Sequence, residues 1–260
     1  MLASSITYGY TFYRPEVKKQ WYHNLKYWSS ITKNIAYYDL PMHCKKSFGA
    51  PLAPGVEILQ EMMPALKKYQ IKGVYIYGKE EWGHAVLYNY LVAKMMWNAD
   101  LNVKDLLNDF YAQCYGNGGS DMRKIHEIID SSMKSYYLHN RASYTLTTDI
   151  LRKVYAANLP EMEELYFKAL ANVKDGKAKK RIEMFGDNLN VMYYYLKSFN
   201  LVEKNKKSRF DMTQAEIEKF KKQKNKLFST AEIGGDQNSI KLTSYSAKPF
   251  NAGRSAEKIN

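Results

Sequence analysis

A chain of 260 residues, 45% hydrophobic and 25% charged, has the composition of a globular protein of one large or two ordinary domains. No apolar run approaches the roughly 18 residues of a membrane-spanning helix, and MLASSITYGY at the start has neither the basic nor the apolar region of a signal peptide. The net charge of +13 favours polyanionic partners on electrostatic grounds, but much of the excess falls in KDGKAKKR (174–181), KNKKSR (204–209) and KFKKQKNK (219–226), the pattern of a solvated basic surface.

ITYGYTF (6–12) is β-branched and aromatic and reads as a strand ended by Arg14-Pro15. From Glu16 to Ser30 the pattern turns helical, with Trp21, Leu25 and Trp28 on one stripe. NIAYYDLP (34–41) reads as a second strand closed by Pro41, followed by the loop CKKSFGAPLAPG (44–55). Val56 to Tyr69 is helical, with Pro64 kinking it or starting a new first turn. GVYIYG (73–78) is a third strand. Strand, helix, strand, helix, strand, with connections this long, is the order of right-handed parallel crossovers.

After Gly83 no strand is expected for the next 140 residues or so. HAVLYNYLVAKMMWN (84–98) is apolar nearly all round and reads as a buried helix, its Tyr88, Leu91, Val92, Met95 and Met96 forming a core stripe beside Trp97. Asn102 is placed to cap VKDLLNDFYAQCY (103–115), which ends at Gly116. A further helix covers 120–139, with His126 and His139 assigned to its surface. Residues 147–174 and 177–199 read as a long antiparallel pair turned at Asp175-Gly176. Thr213 and Glu216 form a capping box for a helix to about Phe228, and the polar tail from Gly234 reads as a flexible linker.

An isolated three-stranded parallel sheet would leave strand faces and edges uncovered, and such units ordinarily occur in multiples. With the first strand starting almost at Met1, the expected fold class is α/β: the last strands of a partial (β/α) barrel followed by an all-helical C-terminal region. The expected division is 1–83 for the barrel strands and crossover helices, 84–230 for the helical region, and 231–260 for the tail.

The run from Gly83 to Ile129 resembles a segment of a bacterial family of glycoside-hydrolase-like (β/α) barrels. That family has long been labelled a domain of unknown function and is common in polysaccharide-degrading Bacteroidetes. Its pattern is carried here by Tyr90-Leu91, Met96-Trp97-Asn98, Asp100, Asp105 to Phe110, Tyr115-Gly116 and Met122, with Ala99 in place of the usual proline. Tyr8 to Thr11 and Ala36 to Asp39 match its upstream strands, and the likeness covers roughly residues 5 to 200. The resemblance implies full-length relatives in the periplasm or at the cell surface that hydrolyse glycosidic bonds, some being endo-β-N-acetylglucosaminidases, with no metal or organic cofactor; with no signal peptide in this chain, its own location stays open. It also implies that the catalytic acid pair lies on strands preceding those seen here, so that this chain is the C-terminal part of such a barrel.

Ligands of (β/α) barrels sit at the carboxyl ends of the strands. Tyr10, Asp39, Glu80, Glu81, Trp82 and His84 are therefore the candidate substrate-binding residues. Trp82 would stack on a sugar ring, because a pyranose presents weakly positive C–H edges to the negative π-face. Glu80, Glu81 and His84 would hydrogen-bond hydroxyls. Asp39 would do the same, or would pair with Glu80 or Glu81 as the acid and base of a glycosidase. The alternative for KEEWGH (79–84) is a solvated loop with Trp82 packed under a helix. Catalytic residues stay unassigned.

The five histidines have no metal-ligand spacing, Cys44 and Cys114 form neither a CxxC pair nor a disulfide framework, and no P-loop, dinucleotide fingerprint or nucleophile elbow is present. The expected partner is an oligosaccharide or glycan bound without cofactor, by an enzyme or by a non-catalytic accessory protein. A basic nucleic-acid-associated protein ranks below both, since no recognised motif accompanies the charge.

Overall fold

The computed structural model describes residues 2–3, 9–39, 51–76, 82–141, 147–203, 207–213 and 215–216. Leu2–Ala3 (β1), Ala36–Asp39 (β2) and Gly73–Ile76 (β3) form a parallel sheet in the order β1-β2-β3, with Asp39 opposite Ile76 at its carboxyl edge. Pro15–Ile31 (α1) connects the first pair and Val56–Lys68 (α2) the second. Strands in sequential order, joined by right-handed crossovers, place both helices on one face of the sheet. The side chains agree. α1 and α2 lie side by side, Lys18 Nζ 2.6 Å and Tyr22 Oη 3.1 Å from the Glu61 carboxylate. Trp21 of α1 donates its indole N–H to the fully buried Tyr37 of β2 at 2.9 Å.

The opposite face is open. Tyr38 and Tyr75, partners in the β2–β3 register, stack at 5.3 Å with their planes 18° apart, and Tyr75 is 57% exposed.

The remaining described elements are helical: Trp82–Trp97 (α3), Val103–Tyr115 (α4), Gly119–His139 (α5), the single turn Thr148–Ile150 (α6), Leu159–Asn172 (α7) and Gly176–Ser198 (α8). The described residues are mostly helical, with this small parallel sheet at one end. α3 packs between α2 and α8, α4 against α5 and α8, and α5 against α7, so one apolar core runs continuously from the sheet into the helices. Local signals set several boundaries. The Asn102 side chain accepts from the N–H groups of Lys104 and Asp105, and Asp175 Oδ1 accepts from Ala178 N–H at 2.7 Å, so these caps meet two of the donors left bare at the start of α4 and one at the start of α8. Thr213 and Glu216 close the capping box reciprocally, at 2.7 and 3.3 Å.

Four expectations need correction. Gly9–Tyr13 is a 3₁₀ helix, not part of a strand over 6–12: Gly9 takes φ of +52°, and Tyr10, Phe12 and Tyr13 are all buried, so no solvent-facing alternation exists. The single helix expected from 147 is broken by a π-helical turn at Leu151–Tyr155 and a 3₁₀ turn at Ala156–Asn158. Pro160 has no N–H to donate to the Ala156 carbonyl four residues before it, and the Asn158 side-chain amide donates to the Val154 carbonyl at 2.7 Å. Trp28, Met96 and Trp97 leave their core stripes for solvent, at 43%, 42% and 91% exposure. His126 is buried, not on the surface, whereas His139 is exposed as expected. The putty between sheet and helices is the segment Pro51–Gly55, which is wholly buried without regular structure.

A buried loop needs partners for its backbone polar groups. Tyr155 Oη donates to the Pro51 carbonyl at 2.8 Å, Tyr10 Oη to that of Ala53 at 2.7 Å, and the Gly55 and Val56 N–H groups donate to the Asp130 carboxylate at 2.8 and 3.1 Å. Asp130, from α5, thus caps the start of α2 across the core boundary. The predicted helix to Phe228, the tail, the loop at 44–50 and Cys44 lie outside the described residues.

Candidate functional site

The sheet register sets the carboxyl edge. Asp39 ends β2 directly beside Ile76, the last residue of β3, and α3 begins six residues after Ile76 at Trp82. Asp39, Trp82 and His84 are thereby brought to one end of the sheet at the level of the backbone. Glu80 and Glu81 lie outside the described residues, as do the side chains of Asp39, Trp82 and His84. Gly83 holds the start of α3 close to α8: a Cβ there would stand 2.6 Å from Asn188 Nδ2 and 3.0 Å from the Met184 carbonyl oxygen. Tyr10 is the one candidate that the structure removes. It is 1% exposed, stacks obliquely on Tyr137 at 5.8 Å and spends its hydroxyl on Ala53, so it belongs to the core and not to a rim.

A second concavity lies between α3 and α4. It encloses about 850 Å³ and is bordered by Trp97, Tyr90, Phe110, Asn98, Gln113 and Arg181. Its floor is fixed. Tyr90 donates to Asp109 at 3.0 Å and packs on Phe110 at 5.2 Å; burial and then this hydrogen bond push its hydroxyl pKa up to about 12. The Lys94 ammonium sits 5.6 Å from the Tyr90 ring, and Arg181 reaches the Gln113 and Cys114 carbonyls at 3.4 and 3.3 Å. Burial raises the half-buried Cys114 thiol above its ordinary pKa, with Arg181 opposing, so it stays a thiol at neutral pH. The periodicity of α3 gave no warning of this groove. The one available signal is that Trp97 ends the helix beside the polar run Asn98, Asp100 and Asn102, where a core tryptophan is out of place.

The buried ionisable groups serve the scaffold. His126 meets Tyr111 Oη at 3.1 Å and is pushed down to about 3 by burial, so it is neutral. Asp121 accepts from Asn172 at 3.1 Å and faces Lys168 at 3.4 Å. Asp130 is raised to about 6, by burial against the pull of its backbone donors. Among the described residues no three of His, Cys, Asp and Glu stand close enough to hold a metal ion, and no helix is long and apolar enough to cross a membrane.

No curated protein and no solved structure matches this chain. Residues 4–127, which include β2, β3 and the helices from α1 through α4, match the family model of a domain of unknown function, DUF4838.

Proposed function

We propose that this chain is the later part of a carbohydrate-active (β/α) barrel and binds glycans at the carboxyl edge of its sheet. The observation that carries the reading is the winding. Consecutive parallel strands with both connecting helices on one face, and a partly exposed tyrosine pair on the other, are what a segment of a barrel wall presents to its interior. A doubly wound sheet carries the same winding within each half but covers both faces with helices.

In a barrel wound this way the ligand sits at the carboxyl ends of β2 and β3, where Asp39 ends its strand, and KEEWGH (79–84) would supply a stacking ring and hydrogen-bonding groups. Hydrolysis needs two carboxylates, about 5–5.5 Å apart for retention or 6.5–9.5 Å for inversion. In this reading they come from other strands of the barrel, and the present residues contribute contacts to the sugar. The same geometry serves a non-catalytic glycan-binding protein.

The test is binding of the full chain to an immobilised glycan panel, with reducing-end release measured in parallel. Retention of a glycan that is lost in Asp39→Asn and Trp82→Ala supports the reading. Release of reducing ends assigns an enzyme, and binding without release assigns the accessory role. No retention on any glycan overturns the proposal.

A further inference from the structure

We propose that the groove between α3 and α4 is a second saccharide site, in which Trp97 is the platform for a pyranose ring of a neutral oligosaccharide. The inference rests on the proposed ligand class, and on nothing else in that reading, because the groove is remote from the carboxyl edge. Trp82 and Trp97 are the two ends of α3, roughly 22 Å apart along its axis.

Trp97 is 91% exposed, although a tryptophan is the side chain with most to gain from burial. It stands at the mouth of a concavity of about 850 Å³, within the range that holds small ligands. The groups around it match a sugar. A pyranose has one or two apolar C–H faces and a belt of hydroxyls, each both donor and acceptor. Trp97 offers the flat negative face. Asn98 and Gln113 carry amides that donate and accept together, and Arg181 donates only.

The floor is arranged before any ligand arrives, since Tyr90 is held by Asp109 and Phe110 and Arg181 by two backbone carbonyls. A site that need not order itself on binding keeps more of its contact energy as affinity. Two cations, Lys94 and Arg181, against Asp109 leave the groove nearly balanced in charge, which suits a neutral ligand better than a polyanionic strand. The exposed position of Trp97 also makes it a clean target, because truncating it removes no core packing.

The experiment is calorimetric titration of the full chain with cellotetraose and with chitotetraose, using wild type, Trp97→Ala, Trp97→Phe and Trp82→Ala, with light scattering on each. The expected result is that Trp97→Ala weakens binding of at least one tetrasaccharide by about tenfold or more, while Trp97→Phe keeps part of the affinity and Trp82→Ala leaves this component in place. Binding that survives Trp97→Ala and is lost in Trp82→Ala overturns the groove and leaves the carboxyl-edge reading standing. Absence of binding by wild type overturns the groove together with these two sugars as ligands, and the wider glycan panel then judges the edge separately. A dimer that Trp97→Ala dissociates also overturns the proposal, and assigns the surface to a second copy of the chain.

Discussion

Asp130→Asn isolates a carboxylate that the fold holds at a cost. In the native state Asp130 accepts from Gly55 N–H at 2.8 Å, Val56 N–H at 3.1 Å and Tyr13 Oη at 3.3 Å, yet burial, with Glu57 nearby, raises its pKa from an ordinary 3.8 to about 6. Below the ordinary value the group is protonated folded and unfolded, and above the raised value it is ionised in both. Between them the folded chain keeps a proton that the unfolded chain has released, so stability falls as pH rises through this window. The gap corresponds to up to about 3 kcal/mol. The amide cannot ionise, but it turns one acceptor into a donor facing a backbone N–H, which costs about 1–3 kcal/mol at every pH. At neutral pH the two effects oppose each other, and the variant should lie within about 2 kcal/mol of wild type. Near pH 4 wild type has regained most of its share, and the variant should lie about 1–3 kcal/mol below it. Urea unfolding followed by circular dichroism across this range reads the difference, in which all other titrating groups cancel. A difference that stays flat with pH would refute the argument.

Gly186→Ala should destabilise strongly, because the new Cβ would fall 2.0 Å from Tyr166 Oη and 2.2 Å from its Cζ inside the core; the helix-propensity gain of about 1 kcal/mol cannot offset overpacking of about 3 kcal/mol, and a melting temperature at or above wild type would contradict this. Tyr10→Phe and Tyr155→Phe each leave a buried carbonyl of the 51–53 segment without its donor, so each should cost about 1–3 kcal/mol and together should raise amide exchange in 51–56 before the helices respond. His126→Leu should lower stability at neutral pH by orphaning Tyr111. The deficit should narrow as pH falls from 6.5 towards about 3, because in that range protonation of His126 favours the unfolded wild-type chain; unfolding midpoints of the two proteins against pH check the sign, opposite to that of Asp130.

What was legible in the sequence was what neighbouring residues decide. Asn102 and Asp175 mark helix starts because a capping oxygen acts on N–H groups two or three residues on, and β2 and β3 follow from short β-branched and aromatic runs between helical ones. What was not legible depends on packing partners. Periodicity places Trp28 on a stripe with Trp21 and Leu25, but a stripe position is covered only where a neighbour reaches it, and the Trp28 ring is left half in water. His126 shares its spacing with surface residues, and it is the arrival of Tyr111 and Tyr115 from α4 and of Phe185 from α8, 5.0 Å away, that buries it. The strand expected over 6–12 gives way at Gly9–Tyr13 for the same reason: aromatic residues favour sheets when one face is wet, and there all five residues are buried.

The tyrosines sharpen this point. Their abundance invites a reading as sugar platforms, but where they are described they act mostly as struts. Tyr10 and Tyr155 hold buried carbonyls, Tyr13 meets Asp130, Tyr37 receives Trp21, Tyr111 meets His126, and Tyr136 reaches Asp149 at 3.0 Å. Each combines an apolar ring for the core with a hydroxyl for a polar atom that the fold could not otherwise satisfy. Aromatic composition therefore argues for a way of building this core more than for a ligand. The carbohydrate reading must stand on the few positions where a ring faces solvent, Trp97 over its groove and Tyr75 stacked on Tyr38, and on the carboxyl edge of the sheet, where Asp39 ends β2.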